Sequence, residues 1–346
     1  MEYDILVGVN TKNCESTIQG IVKTIDRALA KHFSKYGSLI VCSDGFSDDK
    51  TKEKFMAVKT IAEKKVLTEK GKRGKGSAVK TIIQKAKMHG VKAVLLIDGD
   101  LLSLKEEHIK KLVEPVLKDE FDVILAGYSK DKNDALISSH LVYPLTRALF
   151  NADVRHPIAG EFCLSQKACT KLLNSRFFPN DFGVDIFITI TGLCEDLNVA
   201  EVRLGAREHL SSRTYSKPED SVMPAFSQVM REFIQLARYY KSSIIKESRP
   251  KIKKIGKISA GAPKKIPVSI SSYRELSRGG VLGAEDYAEK VYDCLSDQSI
   301  IGMKVAWLGW LSIYFEKTKS LSNARAEQEI EKLAGAFEQK KSLARI

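Results

Sequence analysis

Residues 95–100 read Leu-Leu-Ile-Asp-Gly-Asp, an apolar run that ends in two carboxylates separated by one glycine. Similar short apolar runs, rich in β-branched residues, recur through the first half of the chain and alternate with longer stretches of helical spacing. This alternation is typical of βα units that build a largely parallel sheet. The predicted strands cover residues 4–9, 38–43, 92–98 and 122–127, and the predicted helices between them cover residues 15–32, 49–64 and 76–87. The sequence therefore predicts an α/β fold.

The order of elements changes after about residue 159. Strands are predicted at 161–165 and 199–204, helices at 167–173 and 184–193, and further helices at 218–246, 284–295, 303–317 and 323–340. This order indicates a mixed sheet followed by a helical region. We therefore expect one domain over residues 1–217 and a helical C-terminal region over residues 218–346. Within the latter, residues 249–267 alternate lysines with proline and glycine, which predicts a basic linker or loop.

The composition excludes a disordered chain but does not identify a function. The chain has 346 residues, 43% of them hydrophobic, and a formal net charge of +13. Such a charge attracts anions but does not distinguish nucleotides, phosphorylated metabolites, lipids and RNA. The six cysteines lack zinc-site spacing, the N-terminus lacks a signal-peptide pattern, and the apolar stretch at 303–315 is too short to span a bilayer. We therefore expect a cytoplasmic protein with reduced thiols and no transmembrane segment.

The Asp98-Gly99-Asp100 motif predicts a metal site. Ligands of open α/β sheets bind at the carboxyl ends of strands. Mg²⁺ prefers oxygen ligands and is often held by one or two carboxylates together with phosphate oxygens of the substrate. Asp98 and Asp100 could therefore bridge the diphosphate of a nucleotide through the ion. A turn in which Asp98 caps the next helix is the alternative that the motif alone leaves open.

A basic, glycine-rich segment precedes the third predicted helix. Residues 70–76 read Lys-Gly-Lys-Arg-Gly-Lys-Gly. Glycines allow close approach to phosphate oxygens, a helix N-terminus offers free N–H groups, and Lys75 adds charge, so a diphosphate could bind here. The spacing is not that of a P-loop. A solvated basic turn remains the alternative. His209, which leaves a predicted strand, is by itself compatible with either a structural role or metal ligation.

Four segments taken in chain order resemble nucleotide-sugar glycosyltransferases of the GT-A type: residues 10–18, 43–49, 74–76 and 98–100. Residues 156–161, 182–186 and 203–209 narrow the resemblance to glucosyl-3-phosphoglycerate synthase and its mannosyl relatives. The resemblance covers roughly residues 4–213. It implies a Rossmann-like mixed sheet flanked by helices, a helical C-terminal extension and a homodimer. The implied activity is retaining transfer of glucose or mannose from a UDP- or GDP-sugar, with Mg²⁺ or Mn²⁺, to glycerate or 3-phosphoglycerate.

The resemblance also implies roles for individual residues. The nucleotide and its diphosphate would be bound by Asn10, Thr11, Asp44, Gly74, Lys75, Asp98 and Gly99. The metal would be held by Asp100 and His209, with Asp98 in the ribose or metal shell. The sugar and acceptor would be bound by Ser138, Ile158, Ala159, Gly160, Glu161, Asp185 and Ser211. Catalysis would depend on Asp185, Asp100 and Lys75.

The chain departs from the family's pattern in three places. Cys14 stands where a glutamate near the base is usual, and Phe46 replaces a small hydroxyl residue. Residues 134–140 contain no arginine of the kind that phosphoglycerate-using relatives present to the acceptor phosphate. Two kinds of acceptor are therefore compatible with the sequence. The acceptor could lack a phosphate, or its phosphate could be held by another cation such as Lys130, Lys132 or Arg213.

Three other functions can be compared with this one. An inverting GT-A enzyme acting on a polyprenyl phosphate or a glycan would share the first four motifs. A sugar nucleotidyltransferase normally carries its glycine-rich loop directly after the first strand, where this chain has Asn10-Thr11-Lys12. A nucleic-acid-binding protein would explain the charge but would leave Asp98, Asp100 and His209 without a role. We therefore expect no nucleic-acid partner.

Overall fold

The computed structural model describes residues 3–68, 72–210, 218–245, 252–256, 263–277 and 283–346. The contacts between residues divide the chain into two compact units, and each unit is built from separate stretches of sequence. The first unit contains residues 1–128, 159–210 and 253–260, and the second contains residues 129–158, 211–252 and 261–346. The domain boundary expected at residue 217 followed the order of motifs along the chain, and it stays a prediction.

An eight-stranded sheet organises the first unit. Its strands are β1 (Ile5–Thr11), β2 (Ser38–Asp44), β3 (Glu63–Thr68), β4 (Ala93–Asp98), β5 (Val123–Ser129), β6 (Phe162–Ser165), β7 (Val199–Ala206) and β8 (Lys253–Ile255). Their order in space is β3-β2-β1-β4-β6-β5-β7-β8. Strands β1 to β4 pair in parallel, whereas β6 is antiparallel to both β4 and β5. The predicted mixed sheet is confirmed.

The helices also follow chain order. They are α1 (Ile18–His32), α2 (Thr51–Ala57), α3 (Lys75–His89), α4 (Glu106–Leu117), α5 (Tyr143–Phe150), α6 (Gln166–Asn174), α7 (Val184–Cys194), α8 (Pro218–Tyr239), α9 (Lys241–Ile245), α10 (Ile270–Leu276), α11 (Ala284–Ser296), α12 (Ile300–Thr318) and α13 (Asn323–Gln339). A π-helical turn covers Ser138–Val142, and a 3₁₀ turn covers Lys341–Leu343.

Apolar periodicity explains how the first unit packs. In α1, residues Ile18, Ile21, Val22, Ile25 and Leu29 recur at helical spacing, and all are buried in the core of the unit. The sheet residues of that core alternate along β1 and β4, because this core packs on one face of strands that are buried on both faces. This packing fixes the strands whose carboxyl ends carry the predicted nucleotide and metal residues.

Two sequence-based element assignments were wrong. The helix predicted over residues 49–64 ends at Ala57, and residues 63–68 form strand β3. This strand lies at the sheet edge and is only partly buried, so its sequence carries little apolar alternation. Residues 253–255, within the predicted linker at 249–267, form strand β8 and pair in parallel with β7. Residues 249–251 and 257–262 of that linker lie outside the described part of the chain.

The second unit is helical, which confirms the predicted helical extension. Its core is aromatic, and the rings of Tyr287 and Trp310 stack with centroids 5.8 Å apart. Lys132 donates from Nζ to the carbonyls of Thr318, Lys319 and Leu321, so this lysine satisfies the C-terminal end of α12. No helix in the described ranges is long and apolar enough to cross a membrane. All six cysteines are free thiols, as expected.

Candidate active site

The carboxyl ends of β1, β2 and β4 bring the predicted nucleotide residues together. In the sheet register, Thr11 lies opposite Asp44 and Asn10 lies opposite Asp98. Asn10 donates from Nδ2 to Asp98 Oδ1 at 2.6 Å, and Thr11 donates from Oγ1 to Asp44 Oδ1 at 3.3 Å. Gly99, which follows β4, donates its main-chain N–H to the carbonyl of Asn10 at 2.9 Å. These five residues therefore line one edge of the sheet.

His209 reaches this edge through main-chain pairing. The segment after β7 forms an antiparallel bridge between Leu101 and His209. The N–H of Leu102 donates to the carbonyl of Glu208 at 2.8 Å, and the N–H of Leu210 donates to the carbonyl of Asp100 at 3.1 Å. As a result, His209 Nδ1 lies 3.1 Å from Asp100 Oδ1. The structure thus brings together the two residues that were predicted to share a metal ion.

Glu161 lies on the other side of the imidazole. Its Oε1 is 3.5 Å from His209 Nε2, and its side chain is fully buried. Neither carboxylate oxygen of Glu161 accepts a hydrogen bond of good geometry from the described residues. One ligand atom each from Asp98, Glu161 and His209 lies within 4.8 Å of the others. Sequence reasoning placed Glu161 among the substrate-binding residues and missed its position beside the imidazole.

The electrostatic environment of His209 favours positive charge. Burial and the neighbouring Arg207 lower the pKa of the imidazole, but Asp100 and Glu161 together raise it above its ordinary value. Glu161 acts on a second neighbour too. The pKa of the Tyr128 hydroxyl is raised well above its ordinary value, first by burial and then by the Glu161 carboxylate. The positive charge at this position can be carried by a proton or by a divalent ion.

Lys75 joins two of the other predicted residues. Its Nζ lies 3.0 Å from Asp98 Oδ1 and 2.9 Å from Asp185 Oδ2, and all three side chains are largely buried. Burial opposes the charge on Lys75, but the two carboxylates outweigh this effect and raise the pKa of the amine. The pKa of Asp185 is raised by its own burial, an effect that Lys75 opposes. Lys75 therefore lies among the groups predicted to act with it.

Two glycines permit close approaches at this site. Gly74, which precedes α3, has φ of +149°, and a Cβ on it would lie 2.2 Å from the carbonyl oxygen of Asn180. Gly160 has φ of +87°, and a Cβ there would lie 2.7 Å from Asp98 Oδ2. Ala159 beside it is buried. A larger residue at 160 would displace the Asp98 carboxylate, so the lack of a side chain at Gly160 allows this carboxylate to keep its position. The phosphate contact expected of Gly74 stays a prediction.

The remaining predicted substrate residues are Ser138, Ile158 and Ser211. Ser138 and Ile158 belong to the second unit, where Ser138 is buried in the π-helical turn. Ser211 lies outside the described residues. Their substrate contacts stay predictions.

The Asp100–His209 pair has the spacing of two metal ligands. Ligands of Mg²⁺ lie about 2.1 Å from the ion in octahedral geometry, so adjacent ligand atoms are about 3 Å apart. Asp100 Oδ1 and His209 Nδ1 are 3.1 Å apart, a separation at which the two side chains form a hydrogen bond and which also fits this value. Asp100 is also 24% exposed at its side chain, which leaves room for phosphate oxygens to complete the coordination. The donor set therefore fits a divalent ion.

Residues 7–161 match the family model of glycosyl transferase family 2. No curated protein shows a significant match to the chain. Among solved structures, glucosyl-3-phosphoglycerate synthase from Mycobacterium tuberculosis with Mn²⁺, UDP and glucosyl-3-phosphoglycerate is 23% identical, with a TM-score of 0.56, over 68% of this chain and 80% of that chain.

Two further complexes of that enzyme are similar to the chain. The complex with Mn²⁺, UDP-glucose and phosphoglyceric acid is 22% identical, with a TM-score of 0.56, and covers 68% of this chain and 80% of that chain. The complex with Mn²⁺, UDP-glucose and glycerol 3-phosphate is 24% identical, with a TM-score of 0.54 and the same coverage. At this identity the likeness is one of fold. Together with the family match, it confirms the resemblance to GT-A glycosyltransferases.

Proposed function

We propose that this nucleotide-sugar-dependent glycosyltransferase requires a divalent ion and moves glucose from UDP-glucose to a glycerate-type acceptor with retention of configuration. The observation that best supports the metal dependence is the 3.1 Å separation of Asp100 Oδ1 and His209 Nδ1. The donor and the acceptor class are taken from the similar enzyme, whose structures contain Mn²⁺, UDP-glucose and phosphoglyceric acid. A GDP-sugar donor has no comparable support.

Asp100 and Nδ1 of His209 would hold the ion. Asp100 on the Nδ1 side is partly exposed, whereas Glu161 on the Nε2 side is completely buried. Asp98 is already paired with Lys75. An ion that is bound both by the protein and by the diphosphate of the substrate must be reachable from solvent, which favours the Asp100 side. Glu161 then stabilises the ring from Nε2, as carboxylates next to metal-bound histidines commonly do.

Breaking the sugar–phosphate bond leaves negative charge on the departing diphosphate. The bound ion supplies a Lewis acid for that charge. Lys75 provides a fixed positive charge nearby, held between Asp98 and Asp185. Preorganised charges of this kind are commonly the largest catalytic contribution in such sites.

Asp185 orients the donor sugar in this proposal. Its carboxylate is 2.9 Å from Lys75 Nζ and is largely buried, so it is held in one position. An aspartate engaged by a lysine is a weak nucleophile, which favours attack by the acceptor from the same face as the leaving group. The departing phosphate then takes up the acceptor's proton, and the configuration is retained.

The acceptor is a glycerate or 3-phosphoglycerate. Lys132 is one of the cations that the sequence offered for a phosphate on the acceptor. Its amine instead donates to three carbonyls at the end of α12. A phosphate on the acceptor would therefore need a different cation. The homodimer implied by the family resemblance and the cytoplasmic location expected from the sequence belong to the same proposal.

The test is a transfer assay with purified protein. UDP-glucose is supplied with Mn²⁺ or Mg²⁺ and with either D-glycerate or 3-phosphoglycerate, and the product is analysed by NMR for its anomeric configuration. We expect an α-linked glucoside that forms only when a divalent ion is present. A β-linked product would support the inverting alternative, and transfer only to a polyprenyl phosphate or glycan would refute the proposed acceptor.

A further inference from the structure

The turn after β2 carries an exposed aromatic residue in a strained conformation. Phe46 has φ of +61°, in the left-handed region that bulky side chains seldom adopt. The residue is 38% exposed, so its ring adds little to the core. Strain of this kind persists only where the surrounding structure holds the residue in place, and it clusters at functional sites.

Asp44 holds this turn. The main-chain N–H of Ser47 donates to Asp44 Oδ2 at 3.0 Å, and the Ser47 hydroxyl donates to Asp44 Oδ1 at 2.6 Å. Thr11 donates to the same carboxylate at 3.3 Å. The N–H of Asn13 donates to Ser47 Oγ at 2.9 Å, which ties the turn to the loop after β1. Both oxygens of Asp44 are thus used to build the turn that presents Phe46.

A second anchored loop places a cation over the ring. The guanidinium carbon of Arg73 lies 4.3 Å from the centroid of Phe46. Next to Arg73, Gly74 approaches the main chain of Asn180 too closely to tolerate a Cβ. On the other side of Arg73, the Ser77 hydroxyl donates to the carbonyl of Lys72, so the main chain on both sides of Arg73 is held by contacts that do not involve Phe46. Two independently held loops converge on one stacked pair.

This pair lies in the segments that follow β2 and β3, on the side of β1 opposite β4, whose end leads to the predicted metal ligand Asp100. Strand β1 lies between β2 and β4, so two strand spacings, about 10 Å, separate Asp44 from Asp98. A nucleoside diphosphate with its phosphates at Asp100 would extend its base along the ends of these strands. The base would then lie near Phe46.

We infer that Phe46 and Arg73 form the stacking platform for the nucleobase of the donor, an inference that rests on the proposed function. Bases stack on aromatic rings and on guanidinium groups through their π-faces. Asp44 then acts on the base indirectly, by holding the turn. This differs from the direct nucleoside contact that the sequence predicted for Asp44.

Calorimetric titration with two probes tests the inference. UDP and pyrophosphate, each with Mg²⁺, are titrated into the wild-type chain and into Phe46→Ala, Phe46→Tyr and Met88→Ala. Met88 is 78% exposed and controls for the loss of an exposed apolar side chain. We expect Phe46→Ala to weaken UDP binding about tenfold or more. Its affinity for pyrophosphate should be unchanged, and so should the affinity of the other two variants for UDP.

Three results would overturn the inference while leaving the proposed function intact: equal UDP affinity in the wild-type and Phe46→Ala chains, an equal loss of UDP and pyrophosphate affinity, or an equal loss in Phe46→Ala and Phe46→Tyr. A wild-type chain that does not bind UDP would overturn the proposed function and this inference together.

Discussion

Glu161 Oε1 lies 3.5 Å from Nε2 of His209, on the side of the ring opposite Asp100. A fully buried carboxylate without a well-formed hydrogen bond is costly unless positive charge lies beside it. Positive charge on the His209 imidazole, carried by a proton or by a bound cation, therefore stabilises the Glu161 carboxylate.

Replacing Glu161 by glutamine should weaken metal binding without removing a ligand. Partners that orient metal-bound histidines typically contribute about 10- to 100-fold to metal affinity. We expect a loss of this size for Glu161→Gln in Mn²⁺ titrations followed by electron paramagnetic resonance, with UDP present. Glu106→Gln, at the surface on α4, is the control. Unchanged Mn²⁺ affinity in Glu161→Gln would contradict the positioning role.

Lys75 should matter for both stability and turnover. Lys75→Met leaves the carboxylates of Asp98 and Asp185 without their shared cation, and breaking a buried ion pair in this way typically costs about 3–5 kcal/mol. We expect a lower melting temperature and a loss of about 10²–10³ in kcat.

A second variant separates these two effects. Lys75→Met combined with Asp185→Asn removes one uncompensated charge, so it should recover part of the melting temperature but none of the activity. Wild-type stability in Lys75→Met, measured by calorimetry, would show that the pair is not buried as described.

How much of the site was predictable depended on where each residue stands in its strand. Asn10, Asp44 and Asp98 end parallel strands, and such ends meet at one edge regardless of finer detail. Glu161 was different, because it precedes β6, which inserts antiparallel between β4 and β5. That order depends on packing of distant segments and leaves no local signal in the sequence.

The same limit applied to the fold. The parallel strands β1, β2 and β4 carry continuous apolar runs and were predicted, whereas β3 and β8 are short or partly exposed strands without such runs. Their pairing is a main-chain contact that sequence pattern does not record. Residues 129–158 pack with the helical unit although they precede the last motifs of the sheet, so neither unit is one continuous stretch of sequence.

Gly160→Ala tests the close approach behind Asp98. The added Cβ would lie 2.7 Å from Asp98 Oδ2 at a φ of +87°. We expect destabilisation of about 1–3 kcal/mol in urea unfolding, together with lower activity. Gly20→Ala in α1 is the control, since a Cβ there meets nothing within 4 Å. Equal stability of the two variants would contradict the described geometry.

His140 should make the second unit sensitive to acid. The ring is fully buried and accepts the indole N–H of Trp310 at Nδ1, 3.2 Å away. Burial, with a smaller effect of Arg155, lowers the pKa of His140 to about 3. Below an unfolded pKa of about 6.5, the unfolded chain binds a proton that the folded chain does not. Stability is therefore lost progressively as the pH falls from about 6.5 towards 3.

Urea unfolding between pH 6.5 and 5 measures this effect. His140 alone contributes up to about 1.4 kcal/mol per pH unit. His140→Asn keeps an acceptor for Trp310 and should show a shallower pH dependence, with the two chains diverging least at pH 7.5. Identical slopes in the wild type and the variant would contradict the neutral, buried state of this ring.

Direct measurement of Mn²⁺ binding tests the central claim, that Asp100 and His209 share one divalent ion. Electron paramagnetic resonance titrations in the presence of UDP would compare the wild-type chain with Asp100→Asn and His209→Ala, with circular dichroism and melting temperature reporting on the fold. We predict one Mn²⁺ site in the wild type and a loss of about 100-fold or more in affinity in each folded variant. Wild-type affinity for Mn²⁺ in either variant would contradict the account.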